Sequence, residues 1–351
     1  MIPIGFNDGG QTSYNSGGTP LPDCISAEVT EELNGIYQLK IQYPTKALNE
    51  LFPPAGVVNV IVSDANAVHK LDWFRVDKVE RHPDVTDITA NHISYDLKYI
   101  PFMWQRANDI NALIYAINAN AYMTGYLNHF TFSTNASTFY PTYVTFGPDS
   151  LYNVIMEAIS PKHYVPLEMY RNQMSIMLLT QRGANRGVKL YEGIDYTINA
   201  SGQEFADAYD AVMPYYMTTD IAGNKLANFL TEVVLRKSTN QLTPERAITR
   251  DFTDEMADVM TEENLRTVAT DWLNWNGKYI TRHGDITPHI SSADKMQIDV
   301  GDTVWMSNSP TMQLSPEHRI TKIVYDVLSE RITEMAVGVP YSNAGDIIWT
   351  R

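Results

Sequence analysis

The 351-residue chain exceeds the length at which one hydrophobic core stops growing, so it is expected to divide into about two to four domains. A net charge of −15, from 41 acidic against 26 basic residues, argues against a surface built to hold nucleic acid by its phosphates, and the single cysteine, Cys24, excludes a disulfide scaffold or a four-cysteine zinc module. Met1-Ile-Pro-Ile-Gly-Phe-Asn-Asp lacks the basic and apolar regions of a secretory signal, and no apolar run approaches the roughly 20 residues that cross a bilayer, so the expectation is a cytosolic product with no membrane insertion.

In chain order, residues 7–23 gather Asn, Asp, Gly, Ser and Pro and read as an arm or loop with little to bury. Ala27 to Tyr43 follows as a hairpin, with Asn34-Gly35 as a type I′ turn and Ile36, Tyr37, Leu39, Ile41 and Tyr43 as the returning strand. Val57–Val62, Asp72–Val79 and Asp87–Ile93 are further β-rich runs, so the first hundred residues predict a small barrel or sandwich.

The period then changes. Ile110, Leu113, Ile114 and Ile117 recur at helical spacing behind an Asn108-Asp109 cap. Leu151, Val154, Ile155, Ala158 and Ile159 do so behind Asp149-Ser150, with Pro161 as the stop. Val165–Thr180 and Val188–Ile198 return to strands around a turn at Gly183–Gly187. Thr261 caps the clearest helix, with Glu262 and Glu263 at its positive end, a stripe of Leu265, Val268, Ala269 and Trp272, and Gly277 as its stop. The acid-rich stretch Asp251–Glu263 reads as a solvated face rather than a metal site. Met296–Val339 is β again, with a turn at Gly301-Asp302.

One internal echo stands out. Arg75-Val76-Asp77-Lys78-Val79 recurs 244 residues later as Arg319-Ile320-Thr321-Lys322-Ile323, and Ile88-Thr89 recurs at the same offset as Ile332-Thr333. A glycine-led β run precedes each copy, from Gly56 and from Gly301. The expectation is two related β-barrels in one chain; three chains would then place six similar barrels around an axis.

Candidates for chemistry are few. His92, Ser94 and Asp96, at period 2 on one strand face, have the wrong geometry for a triad, whose members come from separate elements, and read as a strand end with local hydrogen bonds. His283, Asp285 and His289 lack the spacing of a helical zinc site and read as a turn. Cys24 has no cationic neighbour to activate its thiol. No phosphate loop or dinucleotide fingerprint appears, so no catalytic, cofactor or metal residue is assigned, and the chain is expected not to be an enzyme. The alternatives kept open are a cell-wall or polysaccharide hydrolase and a carbohydrate-binding receptor module.

Ala27 to Tyr43, Trp73-Phe74-Arg75-Val76, Ala90-Asn91-His92-Ile93-Ser94-Tyr95-Asp96-Leu97, Met169-Tyr170-Arg171 to Arg182-Gly183, Gly187-Val188, Gly301-Asp302-Thr303-Val304 and His318 to Asp326 through Gly338 together resemble, in order and spacing, the N-terminal hub of siphophage tail-associated proteins. That family is often labelled prophage tail endopeptidase or phage minor structural protein, and the likeness spans residues 25–340. It implies a β-rich, α+β, multidomain fold similar to the baseplate hub of contractile-tailed phages. The expected division is a first tube-lining β-barrel at 1–100 with an N-terminal arm at 1–24, a peripheral α+β domain at 101–196, a second barrel from 197–220 plus 286–351, and a peripheral α+β insertion at 221–285. The resemblance further implies a homotrimer at the tail tip of the virion, assembled in the host cytoplasm. Its implied partners are the distal tail protein hexamer, the tape-measure protein and a tail fibre or receptor-binding protein, with DNA passing through without specific binding. Three chains would carry 3 × −15 = −45 formal charges, part of them expected on the channel wall. The glycine-rich start departs from the family pattern and is expected to be an arm specific to this phage, able to plug the channel. The family's hydrolase lies beyond the hub and the sequence ends at Arg351, so lytic activity is expected elsewhere.

Overall fold

The structure is a computed structural model that describes residues 2–7, 13–14, 17–52, 59–65, 70–120, 122–123, 125–136, 139–159, 167–204, 211–230, 233–235, 247–256, 260–276, 281–289, 297–308 and 316–338. Its class is the β-rich α+β arrangement that the sequence predicts, with several sheets. One of these has 13 strands.

The first part of the large sheet comprises β1 (Ser26–Glu32), β2 (Tyr37–Pro44), β3 (Val60–Asp64), β4 (Leu71–Arg81) and β5 (Val85–His92). Ala27, Val29 and Glu31 alternate inward on β1, as Tyr37, Leu39, Ile41 and Tyr43 do on β2, the period-2 signal of a sheet with one buried face. Their spatial order is β1-β2-β5-β4-β3, every neighbour antiparallel.

The middle of the chain holds α1 (Ile110–Asn118), α2 (Leu151–Ala158), and a hairpin of β6 (Glu168–Asn172) and β7 (Ser175–Leu179). The sequence's caps are present. The Asp109 carboxylate accepts from Ala112 N at 2.8 Å and Ser150 Oγ from Asn153 N at 3.3 Å, each satisfying a donor that the first turn leaves over. Both apolar stripes, including Leu113 and Val154, enter one core with Met169, Ile176 and Leu178. Pro161, the expected stop of α2, lies outside the described residues.

The remainder of the large sheet is β8 (Tyr196–Glu204), β10 (Thr281–Pro288), β11 (Thr303–Met306), β12 (Glu317–Asp326) and β13 (Arg331–Gly338). Between β8 and β10, β9 (Ala211–Thr219) belongs to a small four-stranded sheet covered by α3 (Glu262–Asn276). Val212, Phe252, Leu265, Val268 and Trp272 form that sheet's own core. Strand pairing therefore groups Ala211–Thr219 with the insertion, and Thr281–Pro288 with the large sheet. Thr261 Oγ1 caps α3 by accepting from Asn264 N at 3.2 Å; Gly277 lies outside the described residues.

Strands β8-β10-β13-β12-β11 repeat the order and the antiparallel sense of β1-β2-β5-β4-β3. The residues match as well. The transverse row Ala27, Ile41, Ile88, Val79 of the first unit corresponds to Ile198, Ile286, Met335, Ile323 of the second. A β-bulge interrupts the ladder between Val76 and Lys78, and another between Ile320 and Lys322, so the bulged positions Asp77 and Thr321 are the same 244 residues apart as the echoed text. The second half of the echo is not equivalent: Ile88 faces Val79, but Ile332 faces Tyr325, because the second hairpin turns later and carries a further bulge between Val324 and Tyr325. The units join edge to edge through β1 and β12, share one core, and form a continuous open sheet rather than two barrels closed by strand pairing among the described residues.

Two local expectations are corrected. The arm is not without buried residues: Ile4–Phe6 pairs with β3, Leu21 is fully buried, and Tyr14 packs edge-on between Phe6 and Trp73 at 5.1 and 5.0 Å. Aromatic burial outweighs the turn-rich composition there. The β1–β2 connection is not type I′ either, since Asn34 takes φ +56° while Gly35 stays outside the left-handed region. Its reason lies in what Asn34 holds.

Candidate functional site

At the tip of the β1–β2 hairpin, Asn34 reaches into the middle block. Its Nδ2 donates to Leu167 O at 2.8 Å and its Oδ1 accepts from Met169 N at 2.7 Å, so one amide side chain stands in for a strand neighbour of β6. Arg171 Nη2 donates to Gly35 O at 3.1 Å and fastens the same tip.

Beneath this tip lies a buried ionic junction. Arg182, 2% exposed, bridges Glu31 of β1 at 2.8 Å and Asp299 at 3.3 Å, while Arg319 of β12 grips both carboxylate oxygens of Glu168 of β6 and also donates to Gly301 O at 3.0 Å. Asp302, fully buried, accepts from Ala184 N at 2.8 Å and from Arg186 Nε at 2.6 Å. The junction thus ties together both β units and the middle block. Burial opposes the charge on Glu31, but Arg182, Lys70 and Arg171 outweigh it and hold the carboxyl below its usual range. Burial dominates at Asp299 and raises its carboxyl despite Arg182. Arg182 itself is pushed further up by Glu31 and Asp299 against the cost of burial.

The chain changes direction beside this cluster through two touching glycines. Gly183 has φ +79° and Gly301 φ +91°, conformations that only glycine adopts without strain. Their backbones are in contact, leaving no room for a side chain on either.

The expected strand face of His92, Ser94 and Asp96 is divided: β5 ends at His92, and Ile93–Tyr99 is a 3-10 helix. Asp96 turns to Arg75, pairing at 2.7 Å. The histidine's carboxylate partner is instead Asp72 of β4, at 2.9 Å from Nε2, a contact between strands that period counting could not find. Ser94 Oγ lies 2.9 Å from Nδ1, and Ser94 N donates to that same nitrogen at 3.1 Å, so Nδ1 carries no proton and Nε2 gives its proton to Asp72. This Ser-His-Asp chain is built for fixing rather than chemistry. The serine meets Nδ1 rather than Nε2, Tyr37 stacks on the imidazole at 4.5 Å, and His92 and Asp72 are fully buried with Ser94 1% exposed, so no substrate reaches the hydroxyl.

That geometry sets a pH dependence. Burial, helped by Arg171 and Lys70, outweighs Asp72 and holds His92 neutral, below the ordinary imidazole value. The unfolded chain therefore takes up a proton near pH 6.5 that the folded chain refuses, so this stability is complete above that pH and lost as pH falls below it. Asp72, held down against burial by His92 and Lys70, and Glu31 add a second loss through the carboxylate range. Denaturant titrations should show the unfolding free energy declining from pH 7 to pH 5, and His92→Gln should flatten that decline. Buried His318, also held low by burial, adds to the decline. An identical slope in the variant would contradict the assignment.

Of the other candidates, the His283 side chain lies outside the described ones. His289 is engaged by Thr197 Oγ1 at 2.7 Å and Ile194 O at 2.9 Å, Asp285 lies in the β8–β10–β13 ladder, and among the described residues no three metal-ligating side chains cluster. The Cys24 thiol is pushed up to about 12, by burial first and then by Asp23. Tyr99, Trp104, Tyr115 and Tyr122, close together in the sequence, are all exposed to solvent.

No family model matches this sequence, and no curated protein matches it. Solved structures do. The chain superposes on the prophage tail protein gp18 from Listeria monocytogenes EGD-e with a TM-score of 0.58 at 9% identity, over 97% of this chain and 95% of that one. It superposes on the 43 kDa tail protein of prophage MuSo2 from Shewanella oneidensis with a TM-score of 0.57 at 11% identity, over 98% and 99%. A tail protein from Neisseria meningitidis MC58 gives a TM-score of 0.50 at 9% identity, over 98% and 99%. The chain has the fold of these tail proteins over nearly its whole length.

Proposed function

We propose that this chain is a structural protein of a phage tail, the trimeric hub that closes the distal end of the tail tube at the tip of the virion. The observation that carries the reading is the doubled five-stranded unit, with the same strand order, sense and bulge position twice in one chain. A subunit with two like units presents six around an axis when three copies close a ring, which lets a threefold object cap a sixfold tube. The two units line the channel, and the middle block and the insertion around β9 and α3 lie outside it. Above, the ring meets the distal tail protein hexamer; within, the tape-measure protein; below, a tail fibre or receptor-binding protein. The excess of acid keeps the wall from holding DNA phosphates during ejection.

The chain acts as a scaffold, not an enzyme, on this reading. The Ser94-His92-Asp72 contact chain is sealed in the core, and the charged residues of the junction are spent on one another. Purified protein is expected to leave peptidoglycan intact in a turbidity assay, and antibodies against it to decorate the tail tip in electron micrographs of virions. Labelling along the tail or on the capsid would refute the placement. A second reading, carbohydrate recognition by the middle block, is favoured by the exposed rings of Tyr99, Trp104 and Tyr115. Retention of the protein on cell-wall polysaccharide, lost on Trp104→Ala, would support it.

A further inference from the structure

The two β units differ in one respect, and the difference locates an interface. On the second unit, one edge of β12 carries two partners in succession: β11 along Glu317–Arg319, then β1 along Lys322–Asp326. Backbone bonds from Leu33 N to Thr321 O and from Val327 N to Ala27 O, both 2.8 Å, extend the second ladder at its ends.

On the first unit, β3 covers Leu71–Arg75 of β4, and the strand departs at the equivalent place. Val76 N donates to Asn59 O at 2.9 Å, as Ile320 N donates to Asp302 O at 2.9 Å. Beyond that point no described strand plays the part of β1: Lys78–Arg81 pairs with β5 on one side and with no strand on the other among the described residues. Val79 shows the consequence, being 37% exposed while its counterpart Ile323 is 2% exposed under β1. The strand equivalent to β1 is β8. Its far edge pairs with no strand among the described residues beyond the single bridge at Tyr196, and Ala200 and Ser201 are exposed. Among the described residues, one chain thus has an acceptor edge without a strand on its first unit and a donor strand without one on its second, while the junction between the units shows how such a pair fits.

We infer that β8 of a second copy of this chain completes the Asp77–Arg81 edge of β4, antiparallel, with Lys78 opposite Glu204 and Arg81 opposite Ser201. The register is the β1–β12 register carried across the repeat, in which Lys322 faces Glu32 and Tyr325 faces Val29. The inference rests on the ring proposed above and names its contact. The contact is head-to-tail, so each copy uses β8 to fill its neighbour and β4 to be filled, which closes a ring and leaves neither of these two edges to recruit strands without limit. Opposite charge at Lys78 and Glu204 repeats the placing of Lys322 opposite Glu32 in the ladder.

Cross-linking of single variants tests it. The register makes Arg81 and Ser201 a hydrogen-bonded pair, whose Cα spacing of about 5.5 Å suits a disulfide. Full-length Arg81→Cys and Ser201→Cys proteins, mixed and treated with a thiol oxidant, should give a covalent dimer on a non-reducing gel that neither gives alone. Arg81→Cys mixed with Thr197→Cys, about 13 Å out of register, should not. Independently, Lys78→Glu should shift the native mass toward the monomer, and Glu204→Lys added to it should restore the assembly. Each variant is first checked for parental thermal unfolding, and the charge pair decides if a cysteine variant misfolds. An assembly of three chains with neither cross-link nor charge rescue overturns the edge contact and leaves the ring reading standing. A monomeric parent overturns both.

Discussion

Glu168→Ala is expected to lower the unfolding free energy by about 3–5 kcal/mol, because it removes one partner of a buried ion pair and leaves the other charged. Glu168 is 3% exposed and binds the Arg319 guanidinium with both oxygens, while Oε2 also accepts from Arg182 N. Without it Arg319 keeps Gly301 O and Arg182 O, which are dipoles and not a countercharge. Glu168→Gln retains the shape and one acceptor oxygen, so it should cost less than alanine and more than a surface change. Replacing Glu168 and Arg319 together by methionines should recover much of the loss, since no lone charge then remains. Chemical denaturation of the four proteins checks this, and a Glu168→Ala loss within about 0.5 kcal/mol of zero, the range of surface substitutions, would show that the junction carries no weight.

Gly183→Ala should be comparably damaging for a different reason. A Cβ on Gly183 would sit 2.2 Å from Gly301 C and 2.4 Å from Asp302 N, backbone atoms that cannot swing aside as a side chain can. Its φ of +79° adds the left-handed penalty of an L residue. Together these cost about 2–5 kcal/mol, from about 1–3 for overpacking and about 1–2 for the backbone. Gly187 is the control. It has a similar φ of +72° but nothing within 4 Å, so Gly187→Ala should show only the backbone part, about 1–2 kcal/mol. Thermal melts of both variants separate the terms. Equal shifts would mean that the close approach of residues 183 and 301 is not felt.

What the sequence disclosed and what it hid follow from the range of the forces involved. The caps Asp109, Ser150 and Thr261 and the stripes behind them were legible because a helix is specified by residues within four positions of one another. The echo of Arg75–Val79 in Arg319–Ile323 was legible because a bulge keeps its local text. Asp72 as the partner of His92 was not, since β4 and β5 bring them together across 20 residues, and no spacing rule spans a ladder. The ionic junction was equally hidden. Glu31, Glu168, Arg182, Asp299 and Arg319 come from five separate stretches, each unremarkable alone, and only a fold that joins three parts of the chain at one point makes them a cluster. The burial of the arm is not legible in composition, which counts turn formers, whereas Tyr14 needs only one aromatic slot beside Trp73.

The ring is the central claim, and the native mass of the purified full-length chain at micromolar concentration tests it most directly. A single species of three chains that persists as salt is raised is expected, since backbone ladders and apolar burial at Val79 are not screened as surface charges are. A stable species of one chain at that concentration would contradict it.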